Sequence, residues 1–264
     1  MTAHVSRHVL AWFIAFAAMN VQAQGFAALA SPPRFELRMK PGETVRQVVE
    51  IANASSSPGR YRIRTADWSL GPDVSVEFQE ALQPGSCRPW VAIERPQVQV
   101  PPAGRLRYRF EVTVPPAATA GECRFALMIE GEDPVSTRSA GLVIPVAGRL
   151  GVIVYVAVGD AQPQLEVVDA TTTMVNGERV PAVRVKNSGN AHGRLSGFLS
   201  GTDAQGRELE FTPSTFPILP GETRTIALGA SVGRDEPARI AYPVTVKGLL
   251  EWDNGRVELD RRFE

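Results

Sequence analysis

Residues 140–158, A-G-L-V-I-P-V-A-G-R-L-G-V-I-V-Y-V-A-V, constrain the fold of this chain more than any other stretch. Arg149 is their single charge. Branched side chains lose rotamer freedom in a helix, and glycine loses backbone entropy, so the stretch disfavours helix. Pro145, Gly148 and Gly151 divide it too often for a membrane helix, which needs about 20 continuous apolar residues. It reads as two strands in series. Leu142–Val146 closes one β-sandwich, and residues 150–158 open another.

The flanking sequence agrees. Leu106, Tyr108, Phe110, Val112 and Val114 alternate strictly with Arg105, Arg107, Arg109, Glu111 and Thr113, the signature of a half-buried strand. The arginine side reads as a solubilising face that discourages stray pairing. Turns at Pro41-Gly42-Glu43, Gly71-Pro72-Asp73 and Pro101-Pro102-Ala103-Gly104 separate at least seven short strands before residue 147. Beyond it, Asn176-Gly177 marks a hairpin, as does Asp253-Asn254-Gly255, and the count suits a seven- to eight-stranded sandwich. There is an internal echo. Pro41-Gly42-Glu43-Thr44 and Pro220-Gly221-Glu222-Thr223 are identical, and strands end on Asn53 and Asn187. The fold class is all-β: two immunoglobulin-like sandwiches in tandem after a cleavable signal peptide. The expected division is residues 1–23, 24–147 and 148–264.

The signal peptide is read from Arg7 and His8, an apolar core over residues 9–19, and small residues before Gln24. That core is too short to span a bilayer, so stable membrane insertion of the mature chain is not expected. With 28 basic and 28 acidic residues, the chain lacks the basic field on which most nucleic-acid binders depend. Export permits a disulfide, and Cys87 and Cys123 fall in one proposed domain. Pairing them would contribute about 3–4 kcal/mol in the chain-entropy model.

No catalytic constellation emerges. Once residues 1–23 are removed, His192 is the single histidine, and it reads as an exposed turn residue without a partner. There is no G-x-S-x-G elbow, phosphate-cradling glycine loop or calcium loop. The reading is a non-enzyme with no cofactor and no metal. Trp68, Trp90 and Trp252 are too dispersed to suggest a carbohydrate platform. Leu142, Ile144 and Val146 form one apolar comb, with Val143 and Pro145 on the opposite phase. Proline cannot donate to a ladder, which favours a sheet edge. Either that edge pairs with another chain, or both phases are buried in the core and at the seam between domains.

The sequence resembles the PapD-like periplasmic pilus-assembly chaperones. The likeness rests on the export signal, the two sandwich domains, the run S-P-P-R-F-E-L-R-M-K-P-G-E-T over residues 31–44 leading to Asn53, and Leu142–Val146 before a second β-domain. The resemblance implies a periplasmic protein that holds a secreted pilin-like subunit by lending it Leu142, Ile144 and Val146. It implies an outer-membrane assembly protein as a further partner. It also implies two basic residues for the subunit's terminal carboxylate: Arg34 and Arg149, with Arg38 as another candidate. The family's spacing falls on Phe35 and Gly151, beside Arg34 and Arg149. The competing reading is an extracytoplasmic two-domain adhesion or scaffold protein without donor-strand activity.

Chain recovered from an exporting host should begin at Gln24. Intact-mass spectrometry checks this, and a retained Met1 would turn the leader into an anchor.

Overall fold

The computed structural model describes residues 26–132, 135–139, 142–146, 148–233 and 236–264, with backbone alone in 135–139 and 142–146. The expected signal peptide lies outside the described residues. The chain is all-β. Its N-terminal unit runs β1 (Ala28–Ser31), β2 (Arg34–Met39), β3 (Thr44–Asn53), β4 (Gly59–Leu70), β5 (Val76–Gln79) and β6 (Val91–Ile93). It continues with β7 (Gln97–Val100), β8 (Arg105–Thr113), β9 (Gly121–Gly131), β10 (Val135–Ser139), β11 (Leu142–Val146) and β12 (Arg149–Val158). The C-terminal unit runs β13 (Leu165–Val175), β14 (Glu178–Asn187), β15 (Leu199–Thr202), β16 (Glu208–Pro213), β17 (Thr223–Val232), β18 (Glu236–Pro237), β19 (Val244–Trp252) and β20 (Gly255–Phe263).

Two sheets face each other in the N-terminal sandwich. One has the order β1-β3-β8-β6; the other is β2-β12-β9-β4-β5, with β7 added to β4. The alternation in β8 sends Tyr108, Phe110 and Val112 into the core. Its arginines face outward and pair across the sheet, Arg105 with Glu50 at 2.8 Å and Arg109 with Glu94 at 3.8 Å. The first strand changes sheets midway. β1 pairs antiparallel with β3, while β2 pairs parallel with β12. Pro32 and Pro33 lie at the crossing, where two missing N–H donors interrupt the first ladder. Cys87, just before the 3₁₀ turn Arg88–Trp90, is bonded to Cys123 on β9, with a Cα–Cα distance of 5.7 Å.

Residues 150–158 do not open the second domain. β12 lies between β9 and β2 in the first sandwich, and Val152, Val154, Val156 and Val158 are buried in its core with Ile51, Phe110 and Leu127. The sequence boundary at 147/148 therefore moves past β12, to the break over residues 159–164. A continuous apolar run marks a strand buried on both faces, but it does not say which sheet receives it.

The C-terminal unit follows one path, β13-β14-β17-β16-β15-β19-β20, with β18 on β17. β17 pairs with β14 through residues 223–227 and with β16 through 228–231. That handover lets the path close around Val183, Val185, Phe211, Ile226, Val246 and Leu250. The Asn176-Gly177 hairpin is present, both residues having positive φ (51° and 81°), as a two-residue primed turn requires.

The sequence echo corresponds to the same local devices in both units. Asn53 and Asn187 are buried at strand ends. Each side-chain amide donates to the carbonyl four residues on, Ser57 and Ala191, at 2.8 Å. Each side-chain oxygen accepts from the N–H two residues on, Ser55 at 3.0 Å and Gly189 at 2.9 Å. Asn187 also holds the carbonyl of Ile218 and the N–H of Gln164, which stitches two neighbouring loops to its own. In both P-G-E-T turns the glycine takes a positive φ, 82° and 78°, and the glutamate accepts from the N–H three residues back.

Asn187→Ala would strip partners from several buried backbone groups. Unpaired buried groups cost about 1–3 kcal/mol each. We expect urea denaturation to report a loss of about 2–4 kcal/mol, and Asn53→Ala to act on the other unit in the same way.

Candidate functional site

Two features stand apart from the sandwich cores. The first is the ribbon β10–β11. Its strands pair antiparallel with each other, Leu142 opposite Ser139, Ile144 opposite Thr137 and Val146 opposite Val135. They form a two-stranded sheet of their own. The ribbon continues the β9–β12 pair, in which Glu130 faces Arg149. Strand alternation puts Leu142, Ile144 and Val146 on one face, with Val143 and Pro145 on the other. Among the described residues no strand pairs with the second edge of β11. The same holds for the start of β12, because β2 joins it only from Ile153 onward.

The second feature is the cleft between the units. β2, β12 and β9 lie side by side, so register places Glu36, Tyr155 and Arg124 in one row across the outer face of the sheet. Trp68 from β4 packs edge-on against Tyr155, with ring centroids 5.4 Å apart, and its indole N–H donates to the carbonyl of Phe125. Leu219 from the C-terminal unit joins Trp68, Ala126, Met128 and Tyr155 in a small apolar cluster that glues the units together. Arg224 adds a hydrogen bond to the carbonyl of Gly71 at 3.1 Å.

His192 descends onto this row from the segment after β14. It stacks on Tyr155 with centroids 3.9 Å apart. Its Nδ1 lies 2.5 Å from Glu122 Oε2, and its backbone N–H donates to the same oxygen. Its Nε2 lies 3.6 Å from Glu36 Oε1. Arg194 reaches Glu36 at 3.6 Å and the Tyr155 hydroxyl at 3.3 Å. The side chain of Glu122 is 1% exposed and that of His192 11%, so His192 is a buried interface residue and not an exposed turn residue. Sequence reasoning missed this because its partners are 70 and more than 150 positions away. His192 holds the Glu36 carboxyl down at about 2; burial opposes this, and Arg34 and Arg194 reinforce it. Burial pushes the Tyr155 hydroxyl up.

The candidate anchors do not converge. Arg34 pairs with Glu36 at 2.8 Å near the start of β2. Arg38 crosses to Asp253 of the C-terminal unit, also at 2.8 Å. Arg149 lies over the Phe78 ring, 5.8 Å from its centroid. Arg34 faces Ile153, so Arg149 sits four residues before that point on β12, roughly 13 Å away. Neither position suggested by the family's spacing can serve. Phe35 is in the core, and a side chain at Gly151 would run into the Phe78 ring. The basic residues that do meet at the cleft are Arg34, Arg194 and Arg256, which line a groove of 850 Å³ with Trp252 and Ser196. Among the described residues no cluster of metal-ligating side chains occurs, and no helix is long and apolar enough to cross a membrane.

No family model matches the chain, and no curated protein matches it in sequence. Solved structures to which it is similar include the YadV chaperone, at 12% identity over 89% of this chain and 99% of that one, with a TM-score of 0.46. Another is the E. coli chaperone DraB, at 13% identity over 92% and 99%, with a TM-score of 0.47. A third is the class 5 fimbriae chaperone CfaA, at 12% identity over 90% and 99%, with a TM-score of 0.45. The likeness is one of fold.

The Arg38–Asp253 bridge between the units is two-thirds exposed on both sides. A double-mutant cycle in chemical denaturation should give a coupling below about 1 kcal/mol, because water and salt screen such pairs.

Proposed function

We propose that this chain is a periplasmic chaperone that binds and stabilises secreted pilus or pilus-like subunits by lending them Leu142–Val146 as an edge strand. The observation that carries the reading is the β10–β11 ribbon, paired within itself, extending the β9–β12 pair, and unpaired on the second edge of β11 among the described residues. An apolar strand with an open edge is normally an aggregation hazard. It becomes useful when its task is to complete another chain's sheet, with backbone hydrogen bonds supplying affinity and alternate side chains filling pockets. Leu142, Ile144 and Val146 supply that alternation. In this reading Arg34 takes the subunit's terminal carboxylate from the groove it lines with Arg194 and Arg256. An outer-membrane assembly protein would be the next partner. The reading is of a non-enzyme.

Co-expression with a secreted β-subunit should give a soluble one-to-one complex by size exclusion with light scattering. Ile144→Asp should abolish the complex and leave the melting temperature of the free chain within a few degrees. Equal subunit recovery by the variant would reject the lent strand and favour a two-domain scaffold.

A further inference from the structure

We propose that His192 is a proton-controlled latch between the two sandwiches. Protonated, it bridges Glu122 and Glu36 of the N-terminal unit. Neutral, it releases Glu36 and loosens the union of the units. The inference needs neither a client nor the lent strand.

The chemistry follows from what an imidazole can donate. The charged ring has two N–H groups and can satisfy two carboxylates at once; the neutral ring has one. His192 has Glu122 2.5 Å from Nδ1 and Glu36 3.6 Å from Nε2, on two strands of the same sheet. Glu122 is the closer partner and also receives the His192 backbone N–H, so it retains the single remaining proton. Nε2 then turns a lone pair toward Glu36, and a bridge becomes a repulsion.

Every element packed against the ring bears on its charge. β2 presents Glu36, flanked by Arg34 and Arg38. β9 presents Glu122 and Arg124, which approach each other to 3.7 Å. β12 presents Tyr155 as a stacking platform. The segment carrying His192 contributes Arg194, and the β19–β20 turn contributes Asp253. Burial and Arg194 disfavour the imidazolium. The hydrogen bond to Glu122 and the nearby Glu36 carboxylate outweigh them, so the ring titrates above its ordinary 6.5. A raised value means the bridge is fully present below pH 6.5 and is lost as pH rises through the folded-state value. The cavity around the ring measures about 80 Å³, and Glu36, Glu122, Tyr155 and Asp253 line it.

The release loosens the contact without parting the units. The Glu122 N–H still donates to the Asn190 carbonyl at 2.8 Å, and Leu219 stays against Trp68 and Tyr155. A folded exported chain would thus couple its two halves more tightly in acid surroundings than in alkaline ones.

The mature chain alone tests this, because His192 is its single histidine and its ring protons can be followed by NMR without assignment. The titration midpoint should lie above 6.5 and fall in Glu122→Gln. Between pH 6.5 and the midpoint the union should weaken by up to ~10-fold per pH unit, and above the midpoint the loss should level off. Calorimetry at pH 5.5 should show the units unfolding together. At pH 9.5 it should show two separated transitions. His192→Gln should behave at pH 5.5 as the natural chain does at pH 9.5. Glu36→Gln, which leaves the Glu122 contact intact, should lose most of the pH response while remaining folded. Unfolding of the natural chain that does not change between the two pH values would overturn the proposal. So would a Glu36→Gln response as large as that of the natural chain.

Discussion

The structure depends on the burial of β12 between β9 and β2. One face of this strand contributes Val152, Val154, Val156 and Val158 to the N-terminal core. The other contributes Ile153 and Tyr155 to the apolar cluster against which the C-terminal unit rests. Its N-terminal end leads back into the β10–β11 ribbon, and its C-terminal end leads into the link between the units. The core, the seam and the exposed ribbon are therefore tied to one register. A slip of one residue would exchange the two faces of β12, placing Tyr155 in the core and valines at the seam.

Polar groups perform a similar office in the loops. Asn53 and Asn187 each replace a missing stretch of ladder with side-chain hydrogen bonds, and each stands just after the last core residue of its strand. Buried backbone groups must find partners, and these amides supply them where the strand ends. The two units share this solution and the P-G-E-T turn, although their strand orders differ. Two sandwiches of one general type account for the echo by common local chemistry.

Much of this was legible in the sequence because it is local. The alternation in β8, the Asn-Gly hairpin and the small strands punctuated by proline and glycine each carry their own period or turn signal. The Cys87–Cys123 bond followed from export and from both residues falling before the expected boundary. The placement of residues 150–158 failed because a run buried on both faces has no directional pattern, and its partners Phe35 and Leu127 are remote in sequence. The cleft was illegible for the same reason. His192, Glu122 and Glu36 meet through three separate elements, and no spacing links them. Arg34 and Arg149 are the basic residues nearest the positions that the family's spacing implies. Strand register places them at different levels of the sheet.

The disulfide has a consequence of its own. Cys87 is completely shielded from solvent, and its partner Cys123 is packed against the same core. Exchange with a small thiol requires direct attack on a sulfur, which demands access. In the native state the sandwich therefore guards the Cys87 sulfur, while Cys123 is only partly buried. Glutathione would meet the Cys87 sulfur chiefly in chains that have opened, so attack at that sulfur becomes a measure of how often the first sandwich breathes.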